Sequence, residues 1–190
     1  MDRAWLRAVQ KLEFRNPAHF LIKIRSVERQ LAESDAPPKI KKLRTNPLKE
    51  WRELRDAALF CYGMGQRIGQ PIYFAKGESQ DYDFVASWAV GREQHFAPVQ
   101  LKEVVPPELN STATLQKTVD ALTRYVDSKE LTVAIHLTQQ TRFEPSKLSI
   151  PPLKIAALWV FGSISPDQSA WGLWGNFLEQ PEYSKFAYPA

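Results

Sequence analysis

Three short segments rich in β-branched and aromatic residues, set between two helical segments, constrain the fold more than any other feature of this sequence. These predicted strands cover residues 72–75 (IYFA), 83–90 (DFVASWAV) and 97–105 (APVQLKEVV). Pro98 lies inside the third segment, so regular pairing is expected to begin after it, or a bulge is expected there. The second and third segments are predicted to form a β-hairpin.

The helix before these strands is predicted to start at Asn46-Pro47, an N-cap followed by a proline, and to run to about Met64. Three glycines are expected to end it: Gly63, Gly65 and Gly69. A second helix is predicted over about 114–127, with Val126 in its apolar stripe, and strands are predicted at 131–137 and 154–163. The order from residue 46 to 137 is α-β-β-β-α-β, which predicts an α/β (α+β) fold with a mixed sheet between helices.

The first 45 residues are predicted to be a basic helical extension and linker. Helices are expected over 2–14 and from Asn16-Pro17 to about Glu33, and a proline- and lysine-containing linker follows. Residues 46–190 are expected to form the α/β core, with an aromatic C-terminal tail that contains Trp171 and Trp174. A chain of 190 residues is long enough for one domain with such an appendage.

Positive charge is concentrated in the first third of the chain. Residues 1–56 contain 14 Lys and Arg against 8 Asp and Glu, a net charge of +6, whereas the remainder carries −2. This distribution suits a polyanionic partner. The densest cluster is KIKKLR at residues 39–44, where Lys41, Lys42 and Arg44 are candidate nucleic-acid contacts. Solvated helix faces and a basic linker are the alternative explanation.

Several function classes lack their signatures. The single cysteine, Cys61, excludes an internal disulfide, and the three histidines are too far apart for a zinc motif. His136 is expected to lie at the surface or to be partly hydrogen-bonded. The sequence contains no P-loop and no G-x-S-x-G motif. It has no apolar segment typical of a signal peptide or a membrane span, so we expect a cytoplasmic protein with no membrane partner.

The predicted hairpin carries the residues with the clearest chemical meaning. A turn over Gly91-Arg92-Glu93 predicts pairs whose residue numbers sum to 184 or 185, which sets Asp83 opposite Leu101 or Lys102. Because side chains alternate along a strand, Gln100 and Lys102 share a face. We expect Asp83, Gln100 and Lys102 to converge.

Such a trio suits the metal-assisted hydrolysis of phosphodiesters. Mg²⁺, or Mn²⁺ in its place, prefers oxygen ligands, which the carboxylate of Asp83 and the amide of Gln100 supply. A bound metal lowers the pKa of its water and offsets negative charge on phosphate. Lys102 would position the attacking water.

Asp83 on the second strand and Gln100-x-Lys102 on the third, within this element order, resemble the PD-(D/E)xK nuclease superfamily, which has the restriction-endonuclease-like fold. The resemblance covers residues 46–137 and implies that Asp83 and Gln100 are metal ligands and Lys102 the catalytic lysine. It also implies that a glutamate of the first core helix completes the site. The candidates for that glutamate are Glu50 and Glu53, and the candidates on the later helix for contact with DNA or the site are Gln116 and Arg124.

Two positions depart from the family pattern. Tyr82 stands where a proline is frequent, and Gln100 stands where an acid is usual, which removes one negative charge and should weaken metal binding. The sequence therefore predicts a metal-dependent nuclease that acts on DNA in preference to RNA, with RNA kept as an alternative partner. Homodimerisation is left open, since many enzymes that cut duplexes act as dimers.

Two other interpretations are kept. In the first, the same fold carries a catalytically inactive site and binds nucleic acid or a protein partner. In the second, the chain is a globular domain that interacts through its Trp-rich tail. An Asp at a strand start is also common in turns, and a strand lysine is common as an exposed edge residue that blocks aggregation.

Overall fold

A computed structural model gives the fold of the chain and describes residues 3–37, 40, 45–77, 81–138 and 143–190. The helices in this part are α1 (Arg3–Val9), α2 (Pro17–Glu33), α3 (Lys49–Ile68) and α4 (Leu115–Asp120). Short 3₁₀ turns precede α3 at Asn46–Leu48, continue α4 at Ala121–Arg124, and occur at Pro145–Lys147. The strands are β1 (Tyr73–Lys76), β2 (Phe84–Val90), β3 (Glu93–Val104), β4 (Ser128–Leu137), β5 (Ile155–Ser163), β6 (Ala170–Gly175) and β7 (Glu182–Ala187).

The seven strands form one mixed sheet in which they stand in chain order from β1 to β7. The first three strands pair antiparallel, β3, β4 and β5 pair parallel, and β5, β6 and β7 pair antiparallel. Helices and strands between residues 49 and 137 follow the predicted order, and the mixed α/β class is the expected one. The aromatic tail, which the sequence left unassigned, adds β6 and β7 to the sheet.

Helix α3 continues past Gly63 and Gly65, two of the three glycines that were expected to end it. It runs to Ile68 and stops only at Gly69, which adopts the left-handed conformation with φ of 71°. A Cβ atom at Gly63 would lie 2.5 Å from the Phe186 ring of β7. Gly63 is therefore needed for close packing of the helix on the sheet. The predicted helix end near Met64 is wrong.

Two other predicted boundaries are corrected. Helix α1 ends at Val9 rather than near residue 14. Helix α4 ends at Asp120 and its 3₁₀ continuation at Arg124, because β4 begins at Ser128. Val126, which was expected in the buried stripe, is 70% exposed.

Pro98 interrupts the ladder less than its sequence context suggested. It pairs with Val85 of β2 inside a continuous ladder. The parallel pairing of β3 with β4 begins one residue later, at Val99 and Thr132. Pro98 therefore has a neighbouring strand on one side only, where a missing N–H is tolerated.

Apolar layers cover both faces of the sheet. Successive residues of β5 alternate between them: Trp159 and Phe161 face the layer under α3, and Leu158 and Val160 face the layer under α4. The α3-side layer also includes side chains of α2, such as Leu21. The N-terminal helix α2 thus packs into the same core as α3.

Among the described residues, none of the helices combines the length and the apolar character that crossing a bilayer requires.

Candidate functional site

The hairpin of β2 and β3 sets the position of Asp83. Val90 pairs with Glu93, so the loop is only Gly91-Arg92, and Gly91 has φ of 60° as the first residue of a tight hairpin turn. Paired residue numbers therefore sum to 183, because Glu93 belongs to the strand and not to the turn. Continuing this ladder sets Asp83 opposite Gln100. The predicted pairing of Asp83 with Leu101 or Lys102 is wrong by one position or two.

Asp83 is fixed by hydrogen bonds to two neighbouring segments, β3 and the end of β1. Its Oδ2 accepts the Leu101 N–H at 2.7 Å and also a bond from the side-chain amide of Gln100. Its own N–H donates to the Val99 carbonyl at 2.9 Å, and its carbonyl accepts from the Gly77 N–H at 3.1 Å. Asp83 and Gln100, two of the predicted site residues, are thus in direct contact.

Lys102 follows Gln100 on the same face of β3. In the parallel register, Gln100 lies beside Val133 and Lys102 beside Ile135, two residues of the α4-side apolar layer. Lys102 is half-buried, as are Asp83 and Gln100. Its ammonium group makes no ion pair with an acidic side chain in the part of the chain that the structure describes. A positive charge without an internal partner is available to a ligand.

The side-chain oxygen atoms of Asp83 and Gln100 suit a weakly held, largely hydrated cation. Asp83 Oδ1 and Gln100 Oε1 accept no hydrogen bond from the described residues, so one carboxylate oxygen and one amide oxygen are available. Mg²⁺ commonly takes one or two carboxylates and retains several waters. Within the described ranges, no group of three His, Cys, Asp or Glu side chains converges to form a richer metal site. The donor set therefore fits Mg²⁺ or Mn²⁺ only with water or phosphate completing the shell.

The two helix glutamates pair with lysines. Glu50 Oε1 lies 2.7 Å from the Lys76 Nζ, and the hydrogen bond from Lys76 lowers the pKa of this exposed carboxyl group. Glu53 pairs with Lys49 at 3.5 Å on the helix surface. Helix α3 packs on the face of the sheet opposite Gln100. The structure does not bring either glutamate to Asp83.

Two of the other predicted contact residues have partners within the fold. The side-chain amide of Gln116 donates to the Ser149 carbonyl at 2.8 Å and accepts the Ser149 N–H at 2.9 Å, which joins α4 to a later loop. The Arg124 guanidinium lies 5.3 Å from the centre of the Tyr125 ring. Lys41, Lys42 and Arg44 lie outside the described residues.

Helix α1 is attached beside Asp83, which sequence reasoning missed. The indole N–H of Trp5 donates to the Tyr82 hydroxyl at 3.2 Å, and the two rings meet edge to face. Arg3 and Arg7 are exposed, one helical turn apart, and neither pairs with an acidic side chain of the described residues. Tyr82, which directly precedes Asp83, could have indicated this contact, because a large aromatic ring at that position needs another side chain to pack against it.

A second polar cluster lies on the α3 face of the sheet. Arg55 Nε is 2.7 Å from Glu28 Oε1, and His136 Nδ1 is 3.1 Å from Asp56 Oδ2. Arg55 also donates to the side-chain oxygen of Gln168 at 2.5 Å. Glu28 Oε2 and Asp56 Oδ1 are buried and accept no hydrogen bond within the described chain, so charge holds this cluster more than directed hydrogen bonds do.

The burial of His136 corrects an expectation. The side chain is 5% exposed and its ring stacks on Phe161 at 4.8 Å, so it does not lie at the surface. Strand β4 lies between two parallel neighbours and is covered on both faces. The nearly continuous apolar run around His136 was the signal for such a strand, since strands of this kind have no solvent face.

A shallow hollow occurs nearer the tip of the same hairpin and holds none of the predicted site residues. It is lined by Gln10, Phe14, Tyr73, Ser87, Gln94 and Phe96. The candidate site is therefore a half-exposed patch at the sheet end and not this hollow.

Comparison with known proteins adds no relative: no protein-family model matches the chain, no curated protein matches it, and no solved structure matches it.

Proposed function

We propose that this chain is a metal-dependent phosphodiesterase that acts on DNA, with Asp83, Gln100 and Lys102 at its centre. The observation that carries the proposal is the contact between the Asp83 carboxylate and the Gln100 amide, with Lys102 on the same face of β3. All three side chains are half-buried, so they are ordered by the fold and still reachable by a polyanion.

Each residue has a distinct role in the proposed reaction. Asp83 and Gln100 would hold Mg²⁺ or Mn²⁺ through their oxygens. The bound ion supplies an activated water and offsets charge on the phosphate. The ammonium group of Lys102 would orient the attacking water and stabilise the developing negative charge.

The order of elements supports the proposal further. The sequence α-β-β-β-α-β, with an acid just before β2 and Gln100-x-Lys102 on β3, resembles the PD-(D/E)xK superfamily and its restriction-endonuclease-like fold. That resemblance favours DNA as the substrate. It is weakened by Gln100 in place of an acid, and by the pairing of Glu50 and Glu53 with lysines rather than with the site.

Positive charge near the site fits a nucleic-acid backbone. Helix α1, which Trp5 attaches to Tyr82, carries Arg3 and Arg7 on its exposed surface. Arginine is well suited to phosphate oxygens because its planar guanidinium can donate two parallel hydrogen bonds. The net charge of +6 over residues 1–56 acts in the same direction.

One observation favours a second candidate function, a catalytically inactive module that binds nucleic acid. Asp83 Oδ2 already accepts two internal hydrogen bonds, one of them from the Gln100 amide nitrogen. A carboxylate with both of these hydrogen bonds can have a purely structural role, the stabilisation of the hairpin. Binding of DNA without cleavage would then be the whole activity.

Cleavage assays on plasmid, linear duplex and single-stranded DNA, with Mg²⁺ or Mn²⁺ and with EDTA, test the proposal. We expect metal-dependent cleavage that Lys102→Ala and Asp83→Asn each reduce by about 100- to 1000-fold. Lys185→Ala, an exposed lysine on β7, is the matched control and should cleave at the wild-type rate. DNA binding by the wild-type chain with no cleavage of any form would establish the second candidate instead.

A further inference from the structure

Trp51, on the first turns of α3, presents a large aromatic ring to solvent. Its side chain is 51% exposed, although tryptophan is usually largely buried. The ring stacks almost parallel on Phe20 of α2, with the centroids 6.3 Å apart and the planes 15° apart. One face of the indole is therefore covered by Phe20, and the exposed half is open to a ligand.

The orientation of this ring is fixed from the core outward. Phe20 meets Phe74 edge to face at 5.5 Å, and Phe74 of β1 is fully buried. The three rings thus form a line from the core to the surface. A flat ring held in this way needs no further ordering to stack with another flat group, which reduces the entropy cost of binding.

The surroundings of Trp51 are charged rather than apolar. Its chain neighbour Glu50 forms an exposed ion pair with Lys76, and Arg15 is close enough to Glu50 to contribute to the lowered pKa of this carboxyl group, after the larger effect of Lys76. Lys23 is exposed one turn after Phe20 on α2. A surface that docks another protein is usually a contiguous apolar patch. A single aromatic face with cations around it is typical of proteins that bind single-stranded nucleic acid.

Trp51 lies at the same end of the sheet as Asp83. Lys76, which bonds to the neighbour of Trp51, is the last residue of β1. The next residue, Gly77, donates its N–H to the carbonyl of Asp83. The aromatic face and the proposed site therefore lie at the same end of the sheet, on its two opposite faces, and the end of β1 connects them.

We infer that Trp51, supported by Phe20, is a stacking platform for an unpaired base of a single-stranded nucleic acid. The inference deepens the proposed function and rests on it for the substrate that enters the Asp83 site, which would be DNA with a single-stranded end or segment. Bases inside a duplex are already stacked on each other and cannot use this platform. Binding itself requires no metal.

Fluorescence anisotropy of a labelled single-stranded oligonucleotide in EDTA tests the platform, with a duplex of the same sequence in parallel. We expect Trp51→Ala to weaken single-strand binding by about 5- to 150-fold, the equivalent of one stacked base, and to change duplex binding by less than about twofold. Trp51→Phe, which keeps a ring, should retain most of the affinity. Tyr183→Ala, which removes a 52% exposed ring from β7, should bind as the wild type does.

Any of the following results would overturn the inference: no single-strand binding by the wild type, equal affinities for the Trp51→Ala and Tyr183→Ala variants, or equal losses for single strand and duplex. A change in sedimentation of Trp51→Ala without a change in DNA binding would also overturn it and identify a protein interface. Failure of the proposed function is recognised separately. In that case neither the wild type nor Lys102→Ala cleaves DNA, while the effect of Trp51→Ala on binding persists.

Discussion

The two faces of the sheet carry polar clusters of opposite character. On the α3 face, Glu28, Arg55, Asp56 and His136 pair with each other; Arg55, Asp56 and His136 are almost wholly removed from solvent, and Glu28 is partly buried. On the other face, the site residues are half-exposed, and Lys102 has no acidic partner within the described residues. The first cluster is closed by internal charges, whereas the second is open to solvent on one side.

The difference indicates which cluster serves the fold and which serves a ligand. Charges taken out of water must be compensated by each other, so loss of one member leaves its partners buried and unpaired. A half-exposed group loses less, because water replaces the missing partner. Internal pairing therefore predicts a large effect on stability for the closed cluster, and incomplete pairing predicts an effect on binding or catalysis for the open site.

The substitution Arg55→Ala tests the predicted difference between the two clusters most strongly. Removing the guanidinium leaves the buried carboxylate of Asp56 and the partly buried carboxylate of Glu28 without it, and we expect a loss of about 3–5 kcal/mol in the free energy of unfolding. Urea denaturation followed by circular dichroism measures this loss.

Arg67→Ala on the same helix is the matched control. Its guanidinium pairs with the largely exposed Glu182 at 2.6 Å, and such surface pairs contribute about 0–1 kcal/mol. Equal losses for the two arginines would show that the closed cluster has no special role in stability.

Substitutions at the open site should have a smaller effect on stability. Asp83→Ala removes the acceptor of the Leu101 N–H, and we expect a loss of about 1–2 kcal/mol. Lys102→Ala removes no internal ion pair among the described residues and should change stability by less than about 0.5 kcal/mol. Thermal denaturation of both variants, compared with their cleavage rates, tests this separation. A loss above about 3 kcal/mol for Lys102→Ala would mean that the lysine is structural.

Tyr188, whose pKa is affected by Arg55 and Glu28 of the closed cluster, predicts how stability changes at alkaline pH. Burial raises the pKa of Tyr188 to about 12; by smaller amounts, Arg55 lowers this pKa and Glu28 raises it. The Tyr188 hydroxyl donates to the Leu21 carbonyl at 2.9 Å. The folded state thus favours the protonated phenol. The stabilisation is complete below pH 10, the ordinary pKa, and is lost as pH rises from about 10 to about 12.

The expected loss over this range is about 1 kcal/mol, because the ring is only partly buried and solvent reduces the effect. Tyr188→Phe should remove this part of the pH dependence, as measured by urea denaturation at a series of pH values. An unchanged slope in the variant would show that other groups determine alkaline stability.

Local signals in the sequence predicted most elements but not their exact pairing. Asn16 caps α2 through a bond from the His19 N–H, as the Asn-Pro pattern predicted. The hairpin was located correctly, yet the register was wrong because Glu93 joins the strand. That choice depends on the turn conformation at Gly91, which the residue types alone left open.

The two polar clusters differed in how far they could be predicted from the sequence. Asp83 and Gln100 could be predicted as neighbours because a short hairpin joins them. Asp56 and His136 are 80 positions apart, on a helix and a strand whose contact depends on how the whole sheet assembles. Periodicity in one sequence identifies a buried face but does not identify which polar residues meet on it.

The chain order of the strands has a consequence for how the molecule assembles. A two-residue loop joins β2 and β3 in their hairpin. The parallel strands β4 and β5 are each reached by a long crossover connection. Closing a longer loop costs more conformational entropy. We expect the hairpin to form early and the parallel strands to dock late. Asp83 and Gln100 would then meet at the start of folding, while the support beneath Lys102 would be completed only when β4 arrives.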